Sequence, residues 1–386
     1  MTLSASKNAL TKRTRRLQRD ARIALLRNAE RLRRADKHYN PHKGLALKHD
    51  IEINHNITIR ALPGRVVVAA PEHLDFREHI EQATAFLQAL RNEAIRGSTY
   101  NILIDLSALV EVSPAAGTVL LAEVTRCMVY TRKVKHLQGN YPKSDRAKQM
   151  LTDIGFFRAF QIRPPTFEAS KQTRVYVKTI SGNQSDGRYT RPLLNLFESV
   201  CNLHPLASKR LYGSLIECMD NVSGHAYPLD RASEPYLIGE WWMAGFADPV
   251  RRQLAIVFYD SGQGIPTTIK RKRSVRFKSY LNFTDSRILQ RAVTTGLSSK
   301  ANHRRGTGLP SLREFVDEAN GGLLRLISGH GDVRYRSKKP VSAATNLQTP
   351  LAGSLIVWTI NEDGGSEEAE EDLQPVQPLQ LRLPYA

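Results

Sequence analysis

The sequence is poor in the features that mark disulfide-rich, zinc-binding and membrane-spanning proteins. Its 386 residues include three cysteines, Cys127, Cys201 and Cys218, which are far apart and form no CxxC pair. Neither a disulfide framework nor a zinc site is therefore indicated. No apolar run approaches the roughly 20 residues of a membrane-spanning helix, and the opening MTLSASKNALTKRTRRLQRD lacks the apolar centre of a secretory signal. These absences predict a cytoplasmic protein without membrane association.

Acidic residues are also scarce. Lys and Arg number 56 against 37 Asp and Glu, so the formal net charge is +19. The positive charge crowds into residues 1–50, a basic helical arm, whereas residues 362–386 are acidic and typical of a disordered tail. A basic arm attracts polyanions, so it could bind nucleic acid. Alternatively, Leu17, Ala21 and Leu25 recur at helical spacing, and the arm could dock on the protein itself or on a second copy in a homodimer.

Strands and helices alternate in residues 51–163, which predicts a small α/β domain. Two strands are predicted in IEINHNITIRALPGRVVVAAP, an amphipathic helix in DFREHIEQATAFLQALRNEAI, and a buried strand in YNILIDLSAL. A helix opened by proline follows in SPAAGTVLLAEVTRCMVY. A strand, a turn and a helix are predicted in VKHLQGNYPKSDRAKQMLTDIGFF, where Gly155 stops the helix.

A second domain is predicted at residues 164–361. It follows the linker IRPPTFEASKQ, whose paired prolines and small polar residues favour an extended chain. Strands are predicted in TRVYVKTISG, YLIGEWWMAGF, RRQLAIVFYDSG, LLRLISGHGDVRYRS and GSLIVWTI. Helices are predicted in RPLLNLFESVCNL, LASKRLYGSLIECMDNVSGHAY and GTGLPSLREFVDEANGG. The pattern predicts an α+β fold in which the helices lie on one face of the sheet.

The stretch SLIECMDNVSGHAY places a carboxylate and an amide on one helix face. Glu217 and Asn221 are four residues apart, so both can point at one ligand. An amide oxygen is a hard ligand for magnesium, and a carboxylate can activate water. The pair therefore suits a magnesium-phosphate site, although a solvent-facing polar stripe would have the same spacing.

The stretch LAIVFYDSGQGIP delivers an aspartate to the end of an apolar strand. After Asp260, Gly262 and Gly264 allow the backbone to turn and a flat ring to approach closely. The carboxylate can accept a hydrogen bond from the exocyclic amine of adenine, which guanine replaces with a carbonyl group. An ordinary β-turn with aspartate and glycine is the alternative.

The stretch RRGTGLPSL combines two glycines with a helix start. Gly306 and Gly308 can leave their amides open to an anion, and Pro310 suits the first turn of the following helix. The positive end of that helix would face phosphate groups. Lys300, Arg304 and Arg305 are near enough in sequence to add positive charge.

In this order and spacing, the three stretches resemble the sequence boxes of the GHKL superfamily of ATP-binding domains, shared by DNA gyrase and histidine kinases. ECMDN is similar to the asparagine-containing box, DSGQGI to the first glycine box and GTGL to the second. The resemblance covers residues 173–361 and implies a GHKL, or Bergerat, α/β sandwich with ATP and Mg²⁺ as ligands.

The resemblance also implies a role for each matching residue. Glu217 would be the general base that activates water, and Asn221 the magnesium ligand. Asp260 would bind adenine, and Ser354 would take the place of an adenine-side threonine. The basic stretch at residues 267–305 would form an ATP lid. The other residues implied in nucleotide binding are Gly262, Gly264, Ile265, Lys300, Arg305, Gly306, Thr307, Gly308 and Leu309.

The first domain resembles a STAS domain, the anti-anti-sigma type of regulatory module. The resemblance covers residues 52–158 and depends on NILIDLSALVEVSPAAGTVLL and LQGNYPKSDRAKQMLTDIGF. Such domains carry a phosphorylatable serine at a helix N-terminus. Here Ala115 stands at the acceptor position and Ser113 at the preceding aspartate position, so only Ser113 or Thr118 could substitute as acceptor.

Together these features predict an ATP-dependent regulatory switch, in which Mg²⁺ and ATP order a lid and control a protein partner through the STAS-like domain. Hydrolysis of ATP would reset the switch. One alternative is a serine or threonine protein kinase of the anti-sigma type. Another is a nucleotide-sensing protein with little turnover, whose basic arm binds nucleic acid.

Overall fold

The computed structural model describes a mixed α and β chain, which confirms the predicted α+β class. It describes residues 57–62, 64–96, 101–131, 137–168, 174–200, 205–226, 238–250, 252–271, 279–295, 309–319 and 321–361. The basic arm, the acidic tail, and residues 272–278 and 296–305 of the predicted lid lie outside these residues. Within them, no helix combines the length and apolar character needed to cross a membrane.

The first unit, residues 57–168, alternates strands and helices as predicted. Its elements are β1 (Ile59–Leu62), β2 (Arg65–Ala69), β3 (His73–Leu74), α1 (Ile80–Arg96), β4 (Asn101–Asp105), β5 (Glu111–Val112), α2 (Pro114–Thr131), β6 (Leu137–Gly139), α3 (Asp145–Asp153) and α4 (Phe156–Ala159). One sheet has the order β1-β2-β4-β6, in which β2, β4 and β6 run parallel. Strands β3 and β5 form a second, two-stranded sheet. Pro114 opens α2, as predicted.

The second unit, residues 174–361, contains one antiparallel sheet with the order β10-β11-β9-β8-β7. Its elements are β7 (Val175–Gly182), α5 (Arg191–Val200), α6 (Pro205–His225), β8 (Trp241–Asp248), β9 (Gln253–Asp260), α7 (Ile265–Lys270), α8 (Asp285–Thr295), α9 (Pro310–Glu318), β10 (Leu323–Arg336) and β11 (Val341–Asn361). Strand β11 begins well before the predicted GSLIVWTI. Its first half is polar and contains Pro350, so local sequence gave no strand signal there.

The five-stranded sheet is covered on both faces. One face packs against α5, α6, α8 and α9 of its own unit. The other face packs against the first unit, chiefly against α1 and α2. The residues that alternate toward the first unit include Trp242, Ala244, Phe246, Val257 and Tyr259, whereas Trp241, Met243, Ile256, Phe258 and Trp358 face the helices of the second unit.

The sequence therefore predicted the helices on one face of the five-stranded sheet, but not the packing of the first unit against its other face. The signal was present, because every residue of β8 and β9 is buried and both strands are almost continuously apolar. Strands of that kind are typically buried on both faces. The predicted domain boundaries stay predictions, since the two units share one hydrophobic cluster.

Candidate functional site

Asp260 is the last residue of β9 and lies at the edge of the helix-covered face. Strand alternation gives it the same side as Ile256 and Phe258, which pack toward α6. Its neighbours across the sheet are Trp241 on β8 and Ser354 on β11. Only 7% of Asp260 is exposed. The predicted adenine-binding carboxylate is thus held on a rigid strand.

The Asp260 carboxylate has two hydrogen-bond donors. The backbone N–H of Gly262 donates to Oδ1 at 2.8 Å, and the Ser354 hydroxyl also bonds to the carboxylate. Burial raises the pKa of Asp260 to about 6, while these two hydrogen bonds lower it. A carboxylate accepts about four hydrogen bonds in all. Asp260 is therefore largely ionised at neutral pH and has capacity for another donor.

The turn after Asp260 packs against the C-terminal end of α6. Gln263 N–H donates to the Ala226 carbonyl at 2.9 Å, and a Cβ at Gly262 would lie 2.5 Å from the same oxygen. Gly264 has a φ of 83°, which disfavours any side chain. The two glycines predicted from sequence are therefore required for the backbone to pass this point.

Ser328, which the sequence motifs did not indicate, holds this turn in place. Ser328 on β10 donates to the Gly353 carbonyl at 2.7 Å and accepts a hydrogen bond from Ile265 N–H at 2.9 Å. Its hydroxyl also lies 3.1 Å from that of Ser354. Ser328 and Ser354 are cross-strand partners. Each serine lies next to a glycine, in ISGHG and AGSLI, but the sequence alone does not show that these two stretches pair.

Gly353 provides a stability prediction with a matched control. Its φ is 81°, and a Cβ there would collide with the Asp260 carbonyl oxygen. We expect Gly353→Ala to lower the free energy of unfolding by roughly 2–4 kcal/mol. In α6, a Cβ at Gly213 would meet nothing within 4 Å, so Gly213→Ala should raise it by about 1 kcal/mol. Urea denaturation measures both; equal effects would contradict this account of Gly353.

Glu217 and Asn221 lie on α6, as predicted, and both are partly exposed. Burial raises the pKa of the Cys218 thiol well above its usual value, and the Glu217 and Asp260 carboxylates contribute. The two carboxylates therefore lie near the same buried side chain. Helix α6 thus brings Glu217 and Asn221 close to the strand end that carries Asp260.

Helix α9 packs antiparallel to α6. The Ser214 hydroxyl donates to the Ser311 carbonyl at 3.0 Å, and Arg210 forms a 2.6 Å ion pair with Glu314. A cleft of about 330 Å³ opens between the two helices, and Glu217 contributes to its lining. Because the helices run in opposite directions, the N-terminal end of α9 lies on the Glu217 side of these contacts.

The glycine-rich predicted phosphate loop is placed only in part. Pro310 opens α9, as predicted, and Leu309 is partly buried against the helix-side core. The remaining predicted residues of this loop, Lys300, Arg305, Gly306, Thr307 and Gly308, lie outside the described residues. Pro310 nevertheless fixes where the loop must end, beside α6.

The hydroxyl groups considered as phosphate acceptors in the first unit are buried. Ser113 is 4% exposed, and its Oγ accepts a hydrogen bond from Ala116 N–H at 3.2 Å. Thr118 is fully buried and donates to the Pro114 carbonyl at 2.9 Å. Both hydroxyls stabilise the first turns of α2, so neither is presented to a kinase.

The described residues contain single candidate magnesium ligands rather than a cluster of acidic or histidine side chains. Among the described residues, no group of three or more His, Cys, Asp or Glu side chains could hold a metal ion. Magnesium commonly uses one or two protein oxygens together with phosphate oxygens and waters. The partly exposed amide of Asn221, on the same helix as Glu217, fits that kind of site.

Comparisons with known proteins add no relative: no protein-family model, curated protein or solved structure matches the chain.

Proposed function

We propose that this chain binds Mg²⁺ and ATP between Asp260, α6 and the N-terminal end of α9, and acts as a GHKL-type regulatory switch. The second unit would then be a Bergerat ATP-binding domain, and the first a STAS-like regulatory domain. The observation that carries the proposal is Asp260: a buried, largely ionised carboxylate at a strand end, beside a closely packed turn that requires two glycines.

Asp260 would recognise the adenine ring through its exocyclic amine. The carboxylate is already oriented by Gly262 and Ser354, so a ligand would meet a fixed acceptor. A hydrogen bond to a charged acceptor contributes about 1.5–3 kcal/mol. A purine with a carbonyl at that ring position would instead face the carboxylate with a second acceptor, so the site would select adenine.

The phosphates would extend from the adenine site along α6 toward α9. The first turn of α9 carries the positive end of the helix dipole, which favours anions. Asn221 would supply a magnesium ligand from the protein. When bound, Mg²⁺ would neutralise phosphate charge and polarise the terminal phosphoryl group.

Glu217 would act on the water molecule that attacks the terminal phosphorus. Its carboxylate would accept the proton from that water as the new P–O bond forms and the bond to the leaving ADP oxygen breaks. The helix fixes Glu217 one turn before Asn221, so the base and the metal ligand would lie on one side of the phosphates.

The switch would be transmitted through the shared core of the two units. Helices α1 and α2 cover the face of the sheet opposite to the proposed nucleotide site. Changes in β9 or β11 would therefore reach the first unit without crossing a linker. We propose that a protein partner binds the first unit and responds to the nucleotide state.

The pH dependence of base selectivity tests this proposal. Above pH 6 the ionised Asp260 accepts from the amine of ATP; below pH 6 the protonated carboxyl can donate to the carbonyl of inosine triphosphate. We expect ATP to bind at least about tenfold more tightly at pH 7.5, and the ratio of affinities to approach one at pH 5. The two nucleotides share phosphate ionisation, so the ratio isolates the base.

Calorimetric titration at several pH values measures this ratio. A ratio that stays constant through pH 6, or inosine triphosphate binding as tightly as ATP at pH 7.5, would remove Asp260 from base recognition.

A further inference from the structure

Strand β11 leaves the five-stranded sheet for a short stretch before it reaches the proposed nucleotide site. Gly331 on β10 pairs with Asn346, and Gly329 pairs with Leu351, so residues 347–350 bulge out of the ladder. The side chains of Leu347 and Leu351 are buried in the cluster that the sheet shares with the first unit. The bulge therefore rests on the first unit.

One side chain of the first unit holds the backbone of this bulge. Glu81, in the first turn of α1, accepts hydrogen bonds with both carboxylate oxygens: from Gln348 N–H at 2.8 Å and from Thr349 N–H at 3.1 Å. The bulge removes these N–H groups from pairing with β10, and Thr349 is buried. Buried N–H groups without an acceptor are strongly destabilising, so the carboxylate stabilises this particular bulge.

The residues after the bulge, 352–354, are hydrogen-bonded to β9 and β10 next to the end of β9. The Tyr259 hydroxyl donates to the Ala352 carbonyl at 2.7 Å, and Ser328 donates to the Gly353 carbonyl at 2.7 Å. Ser354 then bonds to the Asp260 carboxylate. If β11 slipped by one residue against its neighbours, Ser354 would turn to the opposite face of the sheet. The register of β11 decides whether Asp260 has this partner.

We propose that Glu81 is a positioning residue for the nucleotide site. By accepting hydrogen bonds from two N–H groups of the bulge, it fixes the register of β11 that holds Ser354 beside Asp260. The inference rests on the proposed function and deepens it, because the base-recognition geometry of the second unit would then depend on a carboxylate of the first. A partner that shifted α1 would change the selectivity for adenine without touching the nucleotide.

The test compares Glu81→Gln with Glu78→Gln. Glutamine has the same shape as glutamate but replaces one acceptor oxygen with a donor, so it can hold one of the two N–H groups. Glu78 precedes α1, has a 65% exposed side chain and lies 3.9 Å from Arg77. The affinities for ATP and inosine triphosphate, and the rate constant for hydrolysis of bound ATP, are measured for both variants and the wild type.

For Glu81→Gln we expect ATP to bind about tenfold more weakly and inosine triphosphate to bind as in the wild type. The hydrolysis rate constant should change less than about twofold, because Glu217 lies on α6, away from β11. Hydrogen exchange should also become faster at Gln348 and Thr349 than in Glu78→Gln. A merely structural role would weaken both nucleotides equally.

Equal weakening of the two nucleotides, or wild-type selectivity in Glu81→Gln, would overturn the role of Glu81 while leaving the nucleotide site intact. A wild-type chain that binds neither nucleotide would overturn the proposed function and this inference together. The two failures are therefore distinguishable within one experiment.

Discussion

Asp260→Ala is expected to weaken ATP binding by about 10- to 100-fold. The variant loses a charged hydrogen bond to the adenine amine, worth about 1.5–3 kcal/mol. It also leaves the Ser354 hydroxyl and Gly262 N–H without their shared acceptor. Asp260→Asn keeps the shape but presents an amide that can turn either its oxygen or its donor group to the base, so we expect a smaller loss. Calorimetry with Mg²⁺ and ATP measures both.

Removing the charge of Asp260 by either substitution should not lower the stability of the nucleotide-free protein. Burial raises the pKa of Asp260 from 3.8 to about 6. The contribution of the protonated carboxyl group to the free energy of unfolding is therefore fully present below pH 3.8 and is lost as pH rises through 6. At pH 7 the ionised form destabilises the fold by on the order of 2–3 kcal/mol. We therefore expect Asp260→Asn to unfold at a higher urea concentration than the wild type at pH 7. Loss of ATP binding with a gain in stability separates function from folding.

Asp248 provides the matched control for a buried aspartate. It ends β8, is 1% exposed, and forms an ion pair with Arg174 at 3.3 Å. Asp248→Asn should lower stability, because it leaves the buried Arg174 guanidinium without its charged partner. It should change ATP affinity by less than about twofold. If Asp248→Asn weakened ATP binding as much as Asp260→Ala did, Asp260 would have no special role.

Glu217→Gln is expected to lower the turnover of ATP by about 10²- to 10⁴-fold, the usual contribution of a general base. ATP affinity should change less than about threefold, because the glutamine occupies the same volume and lies at the phosphate end. The control is Glu314→Gln, which alters the other carboxylate lining the cleft and breaks its ion pair with Arg210. That variant should turn over ATP at nearly the wild-type rate.

The fate of ATP labelled at the γ-phosphate distinguishes the possible reactions. Label released as free phosphate by the wild type, and retained on ATP by Glu217→Gln, supports a hydrolytic switch. Label transferred to a serine or threonine of a partner protein would instead support a kinase. Hydrolysis that is undiminished in Glu217→Gln would exclude Glu217 as the base.

Local sequence was sufficient to predict the elements that carry the candidate site. The apolar run before Asp260 predicted a buried strand, and the spacing of Glu217 and Asn221 predicted one helix face, because both patterns depend on near neighbours. Pro310 likewise predicted the start of α9. The structure places Asp260 at the end of β9, Glu217 and Asn221 on α6, and Pro310 at the start of α9.

Contacts between distant parts of the chain could not be predicted in this way. Ser328 meets Ser354 only because β10 and β11 pair, and Glu81 meets Gln348 across two units. The first half of β11 has little strand propensity, and its pairing with β10 determines its conformation. Composition carries no information on which of many apolar faces will pack together.

Hydrogen exchange of the wild-type chain, with and without Mg²⁺ and ATP, tests the central claim most directly. Amides that line the nucleotide should exchange more slowly when it is bound. We expect protection in α6 from Glu217 to His225, in the turn from Asp260 to Ile265, and at Gly353 and Ser354. Saturating ATP that protects none of these segments, or protects only other parts of the chain, would contradict a nucleotide site at Asp260.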